Sequence, residues 1–225
     1  MTTFTIHHLE NSRSQRVLWL FEELGLPYTV VRYRRDPKTM LAPPELRAIH
    51  PLGKSPVVTT DGGLVLAESG AIVETVVERF GGGRLAPPAG SDAALRWRYW
   101  LHFAEGSAMP PLLLTLVLHR IETAPMPFFV KPVARGIARK VRDGFVAPNL
   151  AAQLDFMEAE LGRDGWFAGP DFSAADIQMS FPVEAARARG GLDDRRPRLM
   201  DWLKRIHDRP AYRRALEVGG PYTLG

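Results

Sequence analysis

The sequence predicts two domains, an α/β domain built on a mixed four-stranded sheet and then an all-helical domain. Strand-like and helix-like patterns alternate over the first 83 residues, whereas only helical periodicity continues beyond residue 91. Between them lies a glycine- and proline-rich run, residues 81–90, which is the clearest linker in the chain. We therefore place the domains at 1–83 and 91–225, with the linker at 84–90.

The elements of the first domain follow from local patterns. Apolar residues recur at helical spacing from Val17 to Leu24, and Gly25 provides a C-terminal stop. A proline-punctuated crossing spans 36–51, and residues 61–63 (Asp-Gly-Gly) signal a hairpin. The expected elements are a strand at 4–8, a helix at 12–24, strands at 28–33, 57–59 and 64–66, and a helix at 69–80. Because crossovers between parallel strands are right-handed, this order indicates a parallel first half with an appended antiparallel hairpin, a thioredoxin-like arrangement.

The second domain shows helical periodicity throughout. The expected helices cover 92–107, 112–122, 131–143, 148–161, 174–188 and 197–207. Pro110 and Pro111 are expected to kink or break the second of these helices from the first, because proline lacks a backbone donor and its ring clashes with the preceding turn.

The composition excludes several classes of chemistry. There are no cysteines, so the chain has no disulfide, no thiolate metal site and no thiol nucleophile of its own. Any thiol chemistry must therefore use the thiol of a ligand. The six histidines show no metal-ligand spacing, and no nucleophile-elbow, Walker or dinucleotide-binding motif occurs. We expect no metal site.

Charge and hydropathy favour an ordinary soluble protein. The net charge is +4, but the basic residues are scattered and form no stripe or known nucleic-acid module, so we expect no nucleic-acid partner. No apolar run approaches the roughly 18 residues of a membrane span. The first residues lack the basic and apolar regions of a secretory signal. These features predict a cytoplasmic location.

Pro56 stands immediately before a predicted strand. In most cases such a proline only removes a donor from a strand edge. The functional alternative is a cis bond after Ser55, with the main chain of Ser55 directed outward to pair with an extended peptide ligand. The residues alone leave both interpretations open.

Glu68 and Ser69 stand where the last predicted strand becomes a helix. A simple helix cap by Ser69 would explain them. The functional interpretation adds a ligand carboxylate at the helix N-terminus, with Glu68 meeting an adjacent ammonium group. A γ-glutamyl group carries both charges on one carbon.

Ser12 lies where the first strand gives way to the first helix. With Gln15 it fits a capping box, which would account for both residues. A hydroxyl at this point also faces the same edge as Ser55 and Ser69, where it could donate a hydrogen bond to a ligand thiolate.

Together these residues resemble a known family. The chain is similar to the cytosolic glutathione transferases along essentially its whole length, and most similar to the Gtt-type branch of fungi and bacteria. The motifs that carry the resemblance lie at residues 12–19 (SRSQRVLW), 43–46 (PPEL), 49–56 (IHPLGKSP), 66–72 (LAESGAI), 105–112 (EGSAMPPL), 126–128 (MPF) and 173–182 (SAADIQMSFP).

The resemblance implies a glutathione site on the first domain. Pro56 corresponds to the cis-proline of the family, with the main chain of Ser55 on the cysteinyl part of glutathione. Glu68 and Ser69 match the residues that hold the γ-glutamyl group. Lys54 and His50 lie towards the glycyl carboxylate. In the helical domain, Ser173 and Asp176 match a structural helix start and also read as a capping box.

The composition reduces the choice of residue that could contact the glutathione thiol, but it does not leave a single candidate. The family uses Tyr, Ser or Cys near the first helix, and Cys is absent here. Ser12 is our choice, with Asn11 and Ser14 as alternatives, because a one-residue slip changes which side chain faces the ligand. Glu105 is a possible glutathione contact, including across a dimer interface, or an ordinary helix residue. Plain helical core explains the apolar residues Met109, Leu112, Leu113, Phe128 and Phe129 somewhat better, but they are also our candidates for the electrophile site.

The expected function is that of a homodimeric glutathione transferase, which holds glutathione as the thiolate for attack on a hydrophobic electrophile or a peroxide. One alternative is a non-catalytic module of the same fold that carries apolar ligands or binds a protein. A second is a glutathione-dependent disulfide reductase, in which the missing cysteines would confine the chemistry to glutathione itself.

Overall fold

The computed structural model describes residues 2–220 and 222–224. The first domain contains β1 (Phe4–Leu9), α1 (Ser14–Leu24), β2 (Tyr28–Tyr33), α2 (Glu45–Ile49), β3 (Val57–Thr60), β4 (Val65–Ala67) and α3 (Ser69–Phe80). The second contains α4 (Asp92–Phe103), α5 (Met109–Thr123), α6 (Lys131–Val141), α7 (Ala147–Asp164), α8 (Ala174–Arg189), α9 (Pro197–His207) and α10 (Pro210–Gly219). This is the expected α/β domain followed by an all-helical domain.

The sheet has the strand order β2-β1-β3-β4 and is mixed, as predicted. β1 runs parallel to β2, while β3 is antiparallel to both β1 and β4. Val57 pairs with His7 on one side and with Ala67 on the other. The C-terminal ends of β1 and β4 therefore meet the N-terminal end of β3 at one edge of the sheet, which brings residues distant in sequence to the same place.

Helix α1 lies at the centre of the molecule. All of its residues from Ser14 to Phe21 are buried, because the helix packs on β1 and also against α8 and α10 of the helical domain. This explains why the helix completely buries Trp19 and Phe21 and also buries the polar residues Gln15 and Arg16. Its position between the domains ties the sheet edge to the helical domain.

Of the kink or break expected at the two prolines after α4, the break does not occur, because the helical stretch continues through them. A π-helical turn, Ala104–Ala108, joins α4 to α5, and the main-chain N–H of Met109 bonds to the carbonyl of Ala104. This wider turn shifts the hydrogen bonding just before Pro110 and Pro111, which then fall in the first turn of α5, where a missing donor is tolerated. A second π turn, Arg142–Val146, joins α6 to α7.

The resulting helical stretch Asp92–Thr123 has 32 residues, and its most apolar window has a mean hydropathy of 1.3. By length and mean hydropathy alone, this stretch is long and apolar enough to cross a membrane. It was not identified from the sequence, because polar residues interrupt its apolar runs. Trp97, Trp100, Leu101 and Leu112 of this stretch are buried in the core of the helical domain. We therefore describe it as a core helix.

The start of α8 is the capping box expected from the sequence. The Ser173 hydroxyl accepts from the main chain of the first helical turn, and the Asp176 carboxylate accepts from the Ser173 N–H at 3.0 Å. Asp176 also accepts from the Phe167 N–H and the Trp202 indole N–H, at 3.1 and 2.9 Å. Burial raises the pKa of this carboxyl group, and the hydrogen bonds oppose that shift. The group anchors three segments of the helical domain.

Two short helices were not expected from the sequence. The crossing at 36–51 contains the five-residue α2, and α10 follows α9 after Pro210. α2 is too short to show a periodicity. α10 packs against α1, and its buried residues are Ala211, Tyr212, Ala215 and Gly219, most of them small side chains that give a weak apolar pattern. Other elements agree with the predicted ranges to within a few residues, apart from the start of α1.

Candidate active site

Three of the predicted site segments meet at one edge of the sheet. Ser12 follows the end of β1, Ser55 and Pro56 precede the start of β3, and Glu68 follows β4. Because Val57 pairs with both His7 and Ala67, these segments lie side by side across the strands. The sheet register therefore brings together the groups that the sequence singled out separately.

The side chain of Ser55 is used inside the protein. Its hydroxyl donates to the His7 carbonyl at 2.8 Å and accepts from the Leu9 N–H at 3.2 Å, which extends the pairing of β1 with β3 by one step. Pro56 is buried, and the Ser55–Pro56 peptide bond is cis, the second of the two alternatives that the sequence left open. A ligand at this edge would therefore meet the main chain of Ser55 rather than its hydroxyl.

Glu68 and Ser69 form the start of α3. The structure corrects the interpretation of Ser69 as the cap, since Ser69 is the first helical residue and Glu68 holds the cap position without a side-chain bond. Glu68 has φ 68° and ψ 122°, a conformation that residues other than glycine rarely adopt. Its carboxylate is exposed and forms no ion pair with any residue that the structure describes. This leaves the carboxylate available to a ligand ammonium group.

Lys54 and His50 lie in the turn that leads from α2 to Ser55. Lys54 is exposed. The His50 ring accepts weakly from the Leu52 N–H at 3.4 Å, and the His50 carbonyl accepts from the Gly53 N–H at 2.8 Å. Gly53 adopts φ 58°. Neither Lys54 nor His50 lines the large cleft described below, so any role would be at its outer rim.

The structure separates the three candidates for the thiol contact. Ser14 is fully buried, and its hydroxyl oxygen lies within hydrogen-bond distance of Leu9, His8 and Ser12. It has no path to a ligand. Ser12 Oγ accepts from the Ser14 N–H at 3.2 Å and lies 2.7 Å from Ser14 Oγ, yet it reaches the wall of the cleft. Asn11 is exposed and lines the same wall.

The capping box predicted for Ser12 and Gln15 does not form. Helix α1 begins at Ser14, with Arg13 at the cap position and no side-chain cap bond. The Ser12 hydroxyl instead bonds two residues ahead, a local pattern that serine adopts readily outside helices. Both amide atoms of Gln15 are buried without a hydrogen-bond partner among the described residues. This frees Ser12 from the helix and leaves it at the sheet edge.

His8 stands behind the two serines. Its Nδ1 lies 2.9 Å from Ser14 Oγ, so His8, Ser14 and Ser12 form a chain of hydrogen bonds that ends at the cleft. Burial lowers the pKa of His8 to about 4, with a smaller contribution from the positive charge of Arg32. At neutral pH the ring is therefore uncharged. His7 points to the other face of the strand, where it contacts Tyr33 and Thr59, so the two histidines do not form a pair.

A cleft of about 730 Å³ opens between the domains beside Ser12. It is bounded by the sheet edge, α5, the end of α8 and the C-terminal segment. Its wall consists of Asn11, Ser12, Arg13, Arg35, Met40, Ser55, Met109, Leu113, Thr115, Leu116, His119, Arg120, Glu122, Arg142, Phe181, Ala188, Arg189, Thr223 and Leu224.

Of the five residues proposed for the electrophile site, Met109 and Leu113 line this cleft. The structure does not place the other three there. Leu112 is 2% exposed and packs in the core near Gly190. Phe128 and Phe129 lie in the connection after α5 and are 84% and 66% exposed. Leu112 and Leu113 are neighbours in the chain, but Leu112 is buried in the core and Leu113 lines the cleft. The sequence motif alone could not show which of the two faces the cleft.

Glu105 holds the two domains together within one chain. Its carboxylate accepts from the Arg16 guanidinium, which is fully buried, and lies 3.3 Å from Arg13 Nε. Both guanidinium groups lie 5.6 Å from the ring centroid of Phe181. Of the two interpretations left open for Glu105, a glutathione contact or an ordinary helix residue, these contacts favour a structural role, because both carboxylate oxygens have partners within the chain. In the sequence, the charged Arg16 within an otherwise apolar helix was the feature that could have indicated a buried ion pair.

The C-terminal segment closes one side of the cleft. The Thr223 N–H donates to Asn11 Oδ1 at 2.7 Å, and the Arg189 guanidinium donates to the Leu224 carbonyl. Tyr222 donates to Glu184 at 2.8 Å. Apart from Asn11, sequence reasoning identified none of these residues, because no local pattern links the end of the chain to α8. Among the described residues, no three acidic or histidine side chains are grouped so as to hold a metal ion.

Comparison with known proteins gives consistent matches. The family model "Glutathione S-transferase, N-terminal domain" matches residues 12–79, and "Glutathione S-transferase, C-terminal domain" matches residues 133–205.

Two fungal relatives match over most of their length. Glutathione S-transferase 1 of Saccharomyces cerevisiae is 36% identical, covering 92% of this chain and 91% of the relative. Glutathione S-transferase 3 of Schizosaccharomyces pombe is 35% identical, covering 97% and 89%. Among solved structures, a glutathione S-transferase from Actinobacillus pleuropneumoniae superposes with a TM-score of 0.78 at 29% identity, covering 98% and 95%.

Proposed function

This chain belongs to the glutathione S-transferase family, and we propose that, as a glutathione transferase, it activates the thiol of its co-substrate through the hydroxyl of Ser12. One observation carries this assignment. Ser12 Oγ is the buried hydroxyl that reaches the cleft at the sheet edge, and the Ser14 N–H fixes it there at 3.2 Å.

Glutathione would lie along the sheet edge. The exposed carboxylate of Glu68 suits the ammonium of the γ-glutamyl group, and the N-terminus of α3 at Ser69 suits its carboxylate. The main chain of Ser55 would pair with the cysteinyl residue. Lys54 and His50, at the rim, would face the glycyl carboxylate. Support for this placement comes from the register that sets these segments side by side.

The proton of Ser12 can turn towards the cleft when the Ser14 hydroxyl donates to Ser12 Oγ across their 2.7 Å contact. Ser14 Oγ meanwhile accepts from the Leu9 N–H, and His8 Nδ1 and the Leu9 carbonyl are its other neighbours. The Ser14 N–H occupies one lone pair of Ser12 Oγ, which holds the oxygen in place. A hydroxyl that is fixed in position but free to rotate fits a thiolate acceptor.

The available interactions are strong enough for this task. Lowering the pKa of a thiol by two units requires about 2.7 kcal/mol. A hydrogen bond to a charged group contributes roughly 1.5–3 kcal/mol, and a helix N-terminus contributes about 0.3–1 kcal/mol more. The start of α1 at Ser14 lies beside Ser12. The thiolate would then bond to an electrophilic carbon, whose leaving group departs with its electron pair.

Asn11 is the remaining alternative for the thiol contact. Its side-chain oxygen accepts from the Thr223 N–H, which would direct the amide N–H₂ elsewhere along the cleft wall. The electrophile would occupy the apolar part of the cleft formed by Met109, Leu113 and Phe181.

A homodimer in the cytoplasm completes the proposal. Large apolar residues are exposed on α4 and α6, including Leu95 at 69%, Val133 at 61% and Ile137 at 62%, and burial against a second copy would remove them from water. Sedimentation equilibrium tests this assembly, and a monomer at micromolar concentration would contradict it.

The experiment for Ser12 is a titration of bound glutathione, followed by thiolate absorbance. In the parent we expect a pKa about two units below that of free glutathione, and in Ser12→Ala a rise of about one to two units. Thr29→Val removes an exposed hydroxyl on β2 and serves as the control. An unshifted pKa in the parent would contradict the mechanism. A lowered pKa that persists in Ser12→Ala but is lost in Asn11→Ala would move the role to Asn11.

A further inference from the structure

The interdomain cleft is strongly basic. Its wall carries five guanidinium groups and one carboxylate, contributed by Arg13, Arg35, Arg120, Arg142, Arg189 and Glu122. An excess of positive charge inside a concave, partly apolar wall raises the local concentration of anions. The arginines differ, however, in whether the protein itself neutralises them.

Two of the arginines have carboxylate partners. Arg13 lies 3.3 Å from Glu105, and Arg142 pairs with Glu122. Arg35 is held by main-chain carbonyls of Glu10, Asn11 and Met40, so its donors are used even without a carboxylate. Arg120 is exposed to water, which solvates its charge.

Arg189 is in a different situation. It is partly buried at the end of α8, and no carboxylate lies within ion-pair distance of it in the described ranges 2–220 and 222–224. One guanidinium nitrogen donates to the Leu224 carbonyl, and its buried Nε–H has no hydrogen-bond partner among those residues. Its pKa is lowered first by burial and also by the nearby charge of Arg13. Among the described residues this partly buried cation therefore has no counterion, and an anionic ligand group in the cleft would lower the cost of burying its charge.

The surroundings of Arg189 suit a substrate with an apolar body. Met109, Leu113 and Phe181 line the same cleft, and Arg13 follows Ser12 directly in the chain. A molecule that lies on this apolar wall can therefore place a reactive carbon near Ser12 and an anionic group at Arg189.

We propose that Arg189 selects a second substrate that carries an anionic group, such as a carboxylate, on an aromatic or aliphatic body. The inference rests on the proposed function, because it names the class of electrophile for the same cleft. Glutathione is also an anion, so the test must show that Arg189 serves the electrophile rather than a carboxylate of glutathione.

A matched pair of electrophiles provides the kinetic test. Chlorodinitrobenzoate and chlorodinitrobenzamide each carry a chlorine atom on the ring carbon that lies between the two nitro-substituted carbons. They differ in charge but undergo the same reaction. In both, the glutathione sulfur bonds to that carbon and chloride leaves with the bonding electrons. We expect the ratio of kcat/KM for benzoate over benzamide to fall about tenfold in Arg189→Met, which corresponds to about 1.4 kcal/mol.

Two further variants control this result. Arg189→Lys keeps the charge and should retain part of the preference for the benzoate. Arg187→Met removes an exposed arginine of the same helix that does not line the cleft, and its ratio should equal that of the parent. An unchanged ratio in Arg189→Met would overturn the proposal.

A binding measurement separates this proposal from thiol activation. By calorimetry, the unreactive probe dinitrobenzoate should bind more tightly than dinitrobenzamide, and this preference should persist when S-methylglutathione saturates the protein. Equal binding of the two probes would overturn the proposal. So would displacement of dinitrobenzoate by S-methylglutathione, because Arg189 would then hold glutathione. Failure of thiol activation would abolish turnover of both electrophiles but leave this preference intact.

Discussion

Ser12 Oγ and Ser14 Oγ lie 2.7 Å apart, yet only Ser12 reaches the interdomain cleft. Ser14 is completely enclosed, with its hydroxyl oxygen close to both main-chain polar groups of Leu9 and to the ring of His8. The two serines of this motif therefore have different tasks. Ser12 lines the cleft, where we propose that it meets the thiol of glutathione, and Ser14 holds the end of β1, the start of α1 and Ser12 in one arrangement.

The first prediction concerns Ser14. Ser14→Ala removes the hydroxyl beside His8 Nδ1 and the donor to the Leu9 carbonyl, while the Leu9 N–H keeps Ser55 Oγ as an acceptor. We therefore expect the free energy of unfolding to fall by about 1–3 kcal/mol. We also expect the pKa of bound glutathione to rise, because Ser12 loses a neighbour that orients it. Urea unfolding and the thiolate titration measure the two effects. A variant as stable as the parent would show that Ser14 does not hold β1, α1 and Ser12 together.

The second prediction is a pH dependence caused by His8. Its pKa is about 4 in the folded protein, against 6.5 for the ordinary group, so the unfolded chain binds a proton before the folded one does. His8 therefore leaves stability unchanged above about pH 6.5 and lowers it as the pH falls towards 4, by about 3 kcal/mol in total.

Urea unfolding at several pH values checks the contribution of His8. His8→Gln cannot become charged and should show a shallower loss of stability between pH 6.5 and 4 than the parent. The remaining slope includes His7, whose pKa is also lowered by burial. Parallel curves for parent and variant would assign the acid sensitivity to other groups.

The third prediction concerns the link between the domains at Glu105. Glu105→Gln leaves the fully buried Arg16 without its carboxylate, and we expect a loss of about 3–5 kcal/mol in the free energy of unfolding. Glu74→Gln, which breaks a more exposed pair with Arg98, should cost at most about 1 kcal/mol. Sedimentation of Glu105→Gln adds a second readout. A folded, stable variant with weakened dimerisation would favour the contact across subunits instead.

The fourth prediction concerns Asp176. Asp176→Ala would leave the Phe167 N–H, the Ser173 N–H and the Trp202 indole N–H without this buried acceptor. At about 1–3 kcal/mol for each unpaired donor, we expect at least about 3 kcal/mol of destabilisation in thermal or urea unfolding. Asp92→Ala removes an exposed acidic residue from the first turn of α4 and should cost at most about 1 kcal/mol. Similar losses in both variants would contradict a special role for the buried carboxylate.

Predictions from sequence were most accurate where local chemistry is sufficient. The capping box at Ser173 formed as expected. Ser173 and Asp176 are three residues apart, so the first turn of the helix is enough to bring them together. The capping box expected at Ser12 did not form. The Ser14 hydroxyl bonds to His8 and Leu9 at the end of β1, and α1 begins at Ser14, two residues after Ser12. Pro110 and Pro111 failed to break a helix because a π turn precedes them.

The sequence by itself determined the two domains, the order of their elements and the segments at Ser55 and Glu68, because turn residues and hydrophobic periodicity act over a few positions. Only the tertiary structure decided which hydroxyl faces the cleft and which cleft arginines have a carboxylate partner among the described residues. Those outcomes depend on pairs such as Asn11 with Thr223, and Arg16 with Glu105, that meet only when the helical domain packs on α1. Burial and charge pairing across such distances follow from the folded arrangement and leave no periodic pattern in the chain.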